Sequence, residues 1–270
     1  MYPYRVVVCG CTKNSASYIS DHMTRLYSIH DMVQNFHMVV YENDSTDNTR
    51  EVLETFKHNN PLFEYISETN VISQIIHKVN VRPQIIAHGR NRLLDYIENH
   101  KQSFDYVIMV DLDSIIANFQ KSQIKHIFEH DPGSWDALFA NCIGKYYDIY
   151  ALRINEDIWT KETHAHLWKA PINYDCWEMV HYTRDRQKYV YDNQIVIPIT
   201  SKLIPVSSAF GGFGIYKYDI MKGCRYNCIR DNKITCEHVD FHHQIHQKHH
   251  ETKLFICPKL LMNKQSEHTT

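Results

Sequence analysis

The stretch Tyr106-Val107-Ile108-Met109-Val110-Asp111-Leu112-Asp113-Ser114 limits the fold of this chain more than any other. It is a short apolar run, β-branched at Val107, Ile108 and Val110, that stops at two carboxylates. Continuous hydrophobicity over so few residues marks a central strand covered on both faces, as in a parallel sheet between helix layers. Asp111 and Asp113 then fall at its carboxyl end, where open α/β sheets bind their ligands. Side chains two apart on a strand share a face, so both carboxylates can converge on one hard divalent cation.

The chain has 270 residues and a formal net charge of -2. That length carries a sizeable core, and that charge gives no support to a nucleic-acid role. The eight cysteines show no paired C-x-x-C pattern and read as buried free thiols. No apolar run approaches the ~20 residues of a membrane helix. With no signal peptide before the first strand, a soluble, cytoplasmic protein is expected, of bacterial or large-virus type.

Taken in order, Arg5 to Cys11 reads as a first strand and Ser15 or Ser17 caps a helix reaching about Gln34, with Ile19, Met23, Leu26, Ile29 and Val33 on one face. Phe36 to Asn43 reads as a second strand, whose tail Glu42-Asn43-Asp44-Ser45-Thr46-Asp47-Asn48-Thr49 leads into a helix. A carboxylate here, Glu42 or Asp44, accepts hydrogen bonds from a ribose or a base; the alternative is that Asp44 and Asp47 cap that helix. Leu62 to Ile66 is a third strand. Pro83 favours a break, after which Ile85 to Ile97 reads as a helix carrying Arg90, Asn91 and Arg92. In a nucleotide-diphosphate site, Arg90 and Arg92 are candidates for a forked phosphate contact.

The turn Tyr-Glu-Asn-Asp-Ser-Thr-Asp-Asn-Thr at 41–49, the Gly-Arg-Asn-Arg helix at 89–92 and Asp111-Leu112-Asp113 together resemble a GT-A type nucleotide-sugar glycosyltransferase. They are most similar to the capsule-associated mannosyltransferase-like group, which shares the E-N-x-S-x-D-x-T turn and the R-N helix. That group is often degenerate at the metal triplet, which is complete here, so donor identity is not carried over. The resemblance implies an α/β fold with a Rossmann-like, mixed but mainly parallel sheet flanked by helices. It implies one GT-A domain, with a nucleotide-sugar half at 1–118 and an acceptor half at 119–270. It also implies Mn²⁺ or Mg²⁺ on Asp111 and Asp113, a UDP- or GDP-sugar donor and a glycan acceptor. Cys9, Glu42, Asp44, Arg90 and Asp111 are grouped as donor-facing.

Beyond the triplet, Gln120 to His130 reads as a helix, Trp135 to Asn141 as a strand and Tyr146 to Arg153 as a further strand. The aromatic-rich segment 155–195, with Trp159, Trp168 and Trp177, is an expected acceptor region. Three glycines in Phe210-Gly211-Gly212-Phe213-Gly214 admit close backbone approach, and neither a Walker nor a dinucleotide spacing is met. By the resemblance, Gly211 and Gly212 lie beneath donor sugar and acceptor. Cys236-Glu237-His238-Val239-Asp240-Phe241-His242 places two carboxylates and two imidazoles close together without the H-E-x-x-H of a zinc peptidase. The resemblance puts His238, then His242, forward for the metal, and Glu237, then Asp240, for the base of an inverting transfer. Read as a strand, Glu237 and His238 face opposite ways and share a site only on irregular backbone. A nucleotidyltransferase, a methyltransferase and a non-catalytic sugar-binding protein are the rival readings. The first two lack their glycine-rich N-terminal loops.

Overall fold

The computed structural model describes residues 1–75, 81–129, 133–230 and 233–263. Strand β1 (Tyr2–Thr12) and helix α1 (Ile19–Tyr27) are followed by β2 (Val33–Asn43), α2 (Thr49–Asn59), β3 (Phe63–Glu68) and the single turn α3 (Val71–Gln74). Helix α4 (Val81–Asn99) leads into β4 (Tyr106–Asp111), then α5 (Lys121–Glu129) and β5 (Ala137–Cys142). After a long irregular segment holding α6 (Cys176–Thr183) and α7 (Arg186–Tyr189) come β6 (Ile204–Pro205), β7 (Phe213–Lys217) and α8 (Tyr218–Met221). The small ribbon β8 (Ile229–Arg230) and β9 (Lys233–Ile234) precedes α9 (Glu237–Lys248) and β10 (Leu254–Met262).

Eight strands form one sheet in the order β3-β2-β1-β4-β7-β5-β10-β6. The first four are mutually parallel, β7 runs antiparallel between β4 and β5, and β10 is parallel to β5. The sheet is therefore mixed and mainly parallel. Val6, Val7, Val8 and Cys9 on β1 and Val107, Ile108 and Met109 on β4 are fully buried, as continuous apolar runs between two covering layers require. Helix α4 packs across β1 and β2, and α9 packs on α4. This seats α9 beside the carboxyl ends of the central strands. No described helix is long and apolar enough to cross a membrane. All eight cysteines are free thiols.

Three expectations are corrected. The helix expected to reach Gln34 ends at Tyr27, a 3₁₀ turn covers Ser28–Met32, and Val33 already pairs with Tyr2 as a strand residue. Pro83 does not break α4 but sits in its first turn, where a missing N–H loses no helical bond. Tyr146 to Arg153 is not a strand: consecutive Tyr146 and Tyr147 are both buried, which a one-sided pleat does not allow, and only isolated bridges touch this part of the chain, as at Arg153 with Ser208.

Candidate active site

The carboxyl edge of the sheet is a bipartite depression. One cleft, beside β1 and β2, is lined by Cys11, Thr12, Lys13, Asn14, Tyr18, Tyr41, Asn43, Ile72 and the pair Asp111 and Asp113. The other, against α9, is lined by Arg90, Tyr147, Asp148, Tyr150, Trp177, Arg186, Phe210, Glu237 and His238, again with Asp111. Arg82, Ile86 and Asp111 belong to both, so Asp111 stands where the clefts meet.

Asp111 is the last residue of β4, opposite Cys11 of β1, and its amide donates to the Gly212 carbonyl at 2.9 Å. Asp113 lies two residues beyond the strand with extended backbone, and its Oδ1 accepts from the Ile115 amide at 3.0 Å, starting the 3₁₀ turn Ser114–Asn118. Leu112 between them is buried, so the pair is anchored by its own middle residue. Burial raises the Asp111 carboxyl above the ordinary range, although Arg90 works against this.

Arg90 is the organising charge. Its side chain is 3 % exposed, one guanidinium nitrogen meets Asp111 Oδ1 at 2.7 Å, and another donates to Glu237 Oε1. The guanidinium also lies 4.8 Å from the Phe210 ring centre and 5.5 Å from that of Tyr226. The fork expected to grip a phosphate instead grips two carboxylates, one from the sheet and one from α9, and holds them in register. Arg92 is directed elsewhere, to Glu68 at 2.7 Å.

Glu237 and His238 both line the α9 cleft, because the expected strand is the first turn of a helix that starts just after Cys236. Successive side chains there are not on opposite faces. The other two residues of that motif are corrected. His242 has both ring nitrogens engaged, Nδ1 with Ser208 Oγ at 2.8 Å and Nε2 with Tyr216 OH at 2.9 Å, which leaves no lone pair for a metal. Asp240 is buried, accepts from Gln244 Nε2 at 2.7 Å, and lines neither cleft.

Three donor-facing candidates also move. Cys9 is inside the sheet, paired to Val39 and Met109, whereas Cys11 two residues on reaches the cleft. Burial pushes the Cys11 thiol up to about 12, so it stays protonated. Glu42 is fully buried and accepts from the Ser45 amide, Arg50 Nε and Ser67 Oγ; it braces the turn after β2. Asp44, at φ 51°, accepts from the Asn70 and Val71 amides and so caps α3. Asn43, between them, is the residue of that turn that lines the cleft.

Gly211 and Gly212 support the site from behind. Both have positive φ, +65° and +80°, and a Cβ would lie 2.5 Å from the Ala140 carbonyl oxygen at one and 2.2 Å from Ile115 Cδ1 at the other. They line neither cleft. Their backbone holds two site residues, the Asp111 main chain by accepting its amide at the Gly212 carbonyl and the Asp148 carboxylate by donating the Gly211 amide at 2.9 Å.

Asp148 and Tyr147 are site residues that pattern reading missed, since they lie in irregular chain. Burial raises the Asp148 carboxyl to about 6, partly opposed by the Gly211 and Ala151 amides. A carboxyl that is harder to ionise folded than unfolded stabilises the fold at low pH and loses that contribution as pH rises. The stability of Asp148→Asn relative to wild type is therefore expected to rise by about 2 kcal/mol between about pH 4 and pH 6 in urea unfolding, and to level off above about pH 7. Of the expected acceptor region, Trp177 and Arg186 reach the α9 cleft, while Trp168 is buried and donates to the Asn193 carbonyl.

Among the described residues, no three His, Cys, Asp or Glu side chains are arranged to hold a metal by themselves. Two carboxylates at a sheet edge suit Mg²⁺ or Mn²⁺ that takes its remaining oxygens from water and a substrate phosphate. Asp111 and Asp113 fit that class, and His242 does not.

No protein-family model matches the sequence, and no curated protein matches it. Solved structures do. A mannosyltransferase from Pyrobaculum calidifontis in complex with GDP-Man and Mn2+ superposes with a TM-score of 0.52 at 16% identity, over 98% of this chain and 57% of that one. S. aureus TarS (residues 1–349) gives 0.49 at 12%, over 97% and 60%, and the M. tuberculosis glucosyl-3-phosphoglycerate synthase with Mg2+ and UDP gives 0.49 at 10%, over 97% and 70%. The chain thus spans less than two thirds of the length of the first two. With its sheet order and sheet-edge clefts, the likeness to the first of these structures shows the architecture: this chain has the Rossmann-like GT-A fold.

Proposed function

We propose that the protein is a metal-dependent glycosyltransferase that moves a sugar from a nucleoside-diphosphate donor to a hydroxyl of a glycan. The observation that carries this is Asp111, a carboxylate shared by two adjoining clefts, with Asp113 beside it and Glu237 tied to it through Arg90. In this reading the β1–β2 cleft, built from residues 1–118, receives the nucleotide. The α9 cleft, to which the second half contributes Asp148, Trp177, Glu237 and His238, receives the sugar and the acceptor. The structural neighbour from Pyrobaculum, solved in complex with GDP-Man and Mn2+, supports that donor class.

Asp111 and Asp113 would hold Mn²⁺ or Mg²⁺, which when bound neutralises charge on the departing diphosphate. The chain's own residues do the rest. Glu237, fixed by Arg90, takes the proton of the attacking hydroxyl in an inverting displacement. Trp177 and Tyr150, with ring centres 4.8 Å apart, offer an apolar wall for a sugar face. Tyr147 and Asp148 close the floor.

The test is thermal stability with Mn²⁺ alone, UDP or GDP alone, and each nucleotide with Mn²⁺. Because no third ligand joins Asp111 and Asp113 among the described residues, metal and diphosphate should stabilise together far more than either alone, by roughly 2–4 kcal/mol at 100–1,000 times Kd. Stabilisation by metal alone, or none by any nucleotide, contradicts the reading.

A further inference from the structure

His238 is 2 % exposed, lines the α9 cleft, and has no hydrogen-bond partner on either ring nitrogen. One face of its ring is stacked on Phe210 with centres 3.8 Å apart, and Tyr226 meets it edge-on at 5.4 Å. The ring is therefore held in place by packing, with its polar edge unspent. Burying an imidazole with both nitrogens unpaired is unfavourable, so a built site of this kind is completed by what enters the cleft. Nε2 stands 3.9 Å from Glu237 Oε1. That is too long for a direct hydrogen bond, and one oxygen about 2.8 Å from each would bridge it.

The character of that oxygen follows from its neighbours. Burial, with the nearby Arg90 charge and His242, holds the imidazole well below its ordinary pKa and hence neutral, so it has one N–H to donate and one nitrogen to accept. An anionic oxygen would face Asp111, Asp148 and Glu237, while the Arg90 charge is already matched by two of them. A metal would find no third ligand among the described residues. A neutral hydroxyl fits both groups: it accepts from His238 Nε2–H and donates to the Glu237 carboxylate.

Resting on the function proposed above, we propose that His238 and Glu237 together form the seat for a single sugar hydroxyl, with His238 as a hydroxyl-binding residue and not a metal ligand. The hydroxyl belongs either to the transferred sugar or to the acceptor, and the experiment separates the two.

The full chain, labelled with ¹⁵N-histidine, is followed by long-range ¹H–¹⁵N NMR, with the His238 signal assigned by its loss in His238→Gln. The probes are Mg²⁺ alone, Mg²⁺ with GDP or UDP, Mg²⁺ with GDP-mannose or UDP-glucose, and Mg²⁺–GDP with methyl α-mannoside. Mg²⁺ and the bare nucleotides should leave the His238 nitrogens in place. A shift with a nucleotide sugar assigns the seat to the donor, and a shift only on adding the glycoside assigns it to the acceptor. His238→Phe, which keeps the stack but removes both nitrogens, should lower turnover of the accepted donor ~10–100-fold with nucleotide Kd within ~3-fold, and His238→Gln should recover part of it. Nucleotide binding with a silent His238 throughout, or a His238→Phe variant of full activity, overturns the inference alone. A shift of Nε2 with Mg²⁺ alone overturns it in favour of ligation. If no nucleotide perturbs any part of the protein, the proposed function fails, and this inference fails with it.

Discussion

Glu237→Gln is expected to lower sugar transfer by about 10²–10⁴-fold, the usual contribution of a positioned general base, while nucleotide affinity stays within a factor of ~3. Gln preserves the shape of the side chain and keeps an oxygen for the Arg90 contact made by Glu237 Oε1. What it removes is the capacity to take a proton. The separation of turnover from binding is therefore the informative readout, measured as kcat at saturating donor against nucleotide Kd from titration calorimetry. An equal loss in both would mean that Glu237 braces Arg90 and has no part in the chemistry. Asp240→Asn makes the matched control. That residue lines neither cleft, so its turnover should remain near wild type.

Arg90→Met is expected to cost about 3–5 kcal/mol of unfolding free energy, the largest stability effect of any single change at the site. The guanidinium is buried between the Phe210 and Tyr226 rings and is paired with both Asp111 and Glu237, so its removal leaves two carboxylates facing each other with no cation between them. Arg90→Lys keeps the charge but has one ammonium where a planar fork bridged two partners, and should recover less than half of the loss. Combining Arg90→Met with Glu237→Gln should cost less than the sum of the single changes, because one of the stranded charges is gone. Urea unfolding of the four proteins checks this. Additive losses would show that Arg90 and Glu237 are not energetically coupled.

How much of this the sequence discloses depends on whether local pattern or tertiary packing decides each feature. The central strand and its paired carboxylates were legible because a run buried on both faces must be continuously apolar, and its end is a chemical discontinuity that needs no tertiary information. Arg90 and Arg92 could have been told apart. Arg90 lies on the face of α4 that carries Ala87, Leu94 and Ile97, all buried, whereas Arg92 lies off it and pairs with Glu68. Similarly, Phe241 and Ile245 sit four apart and buried, which is the period of the helix that turned out to carry Glu237 and His238. Reading that stretch as a strand was a choice of period. Asp148 is a different case. It lies on irregular chain positioned by Gly211 and Ala151, and no spacing marks it. Cys9 and Cys11 also differ only in depth along one strand, which the sheet edge decides and the sequence does not.

The most direct test of sugar transfer is nucleotide release from a panel of UDP- and GDP-sugars, measured with Mn²⁺, with EDTA, and with Asp113→Ala in Mn²⁺. The expected result is slow release from one donor that disappears in both controls, which names the donor and places its diphosphate at the carboxylate pair. Release that persists in EDTA and in Asp113→Ala, or no release from any donor under any condition, would contradict the central claim.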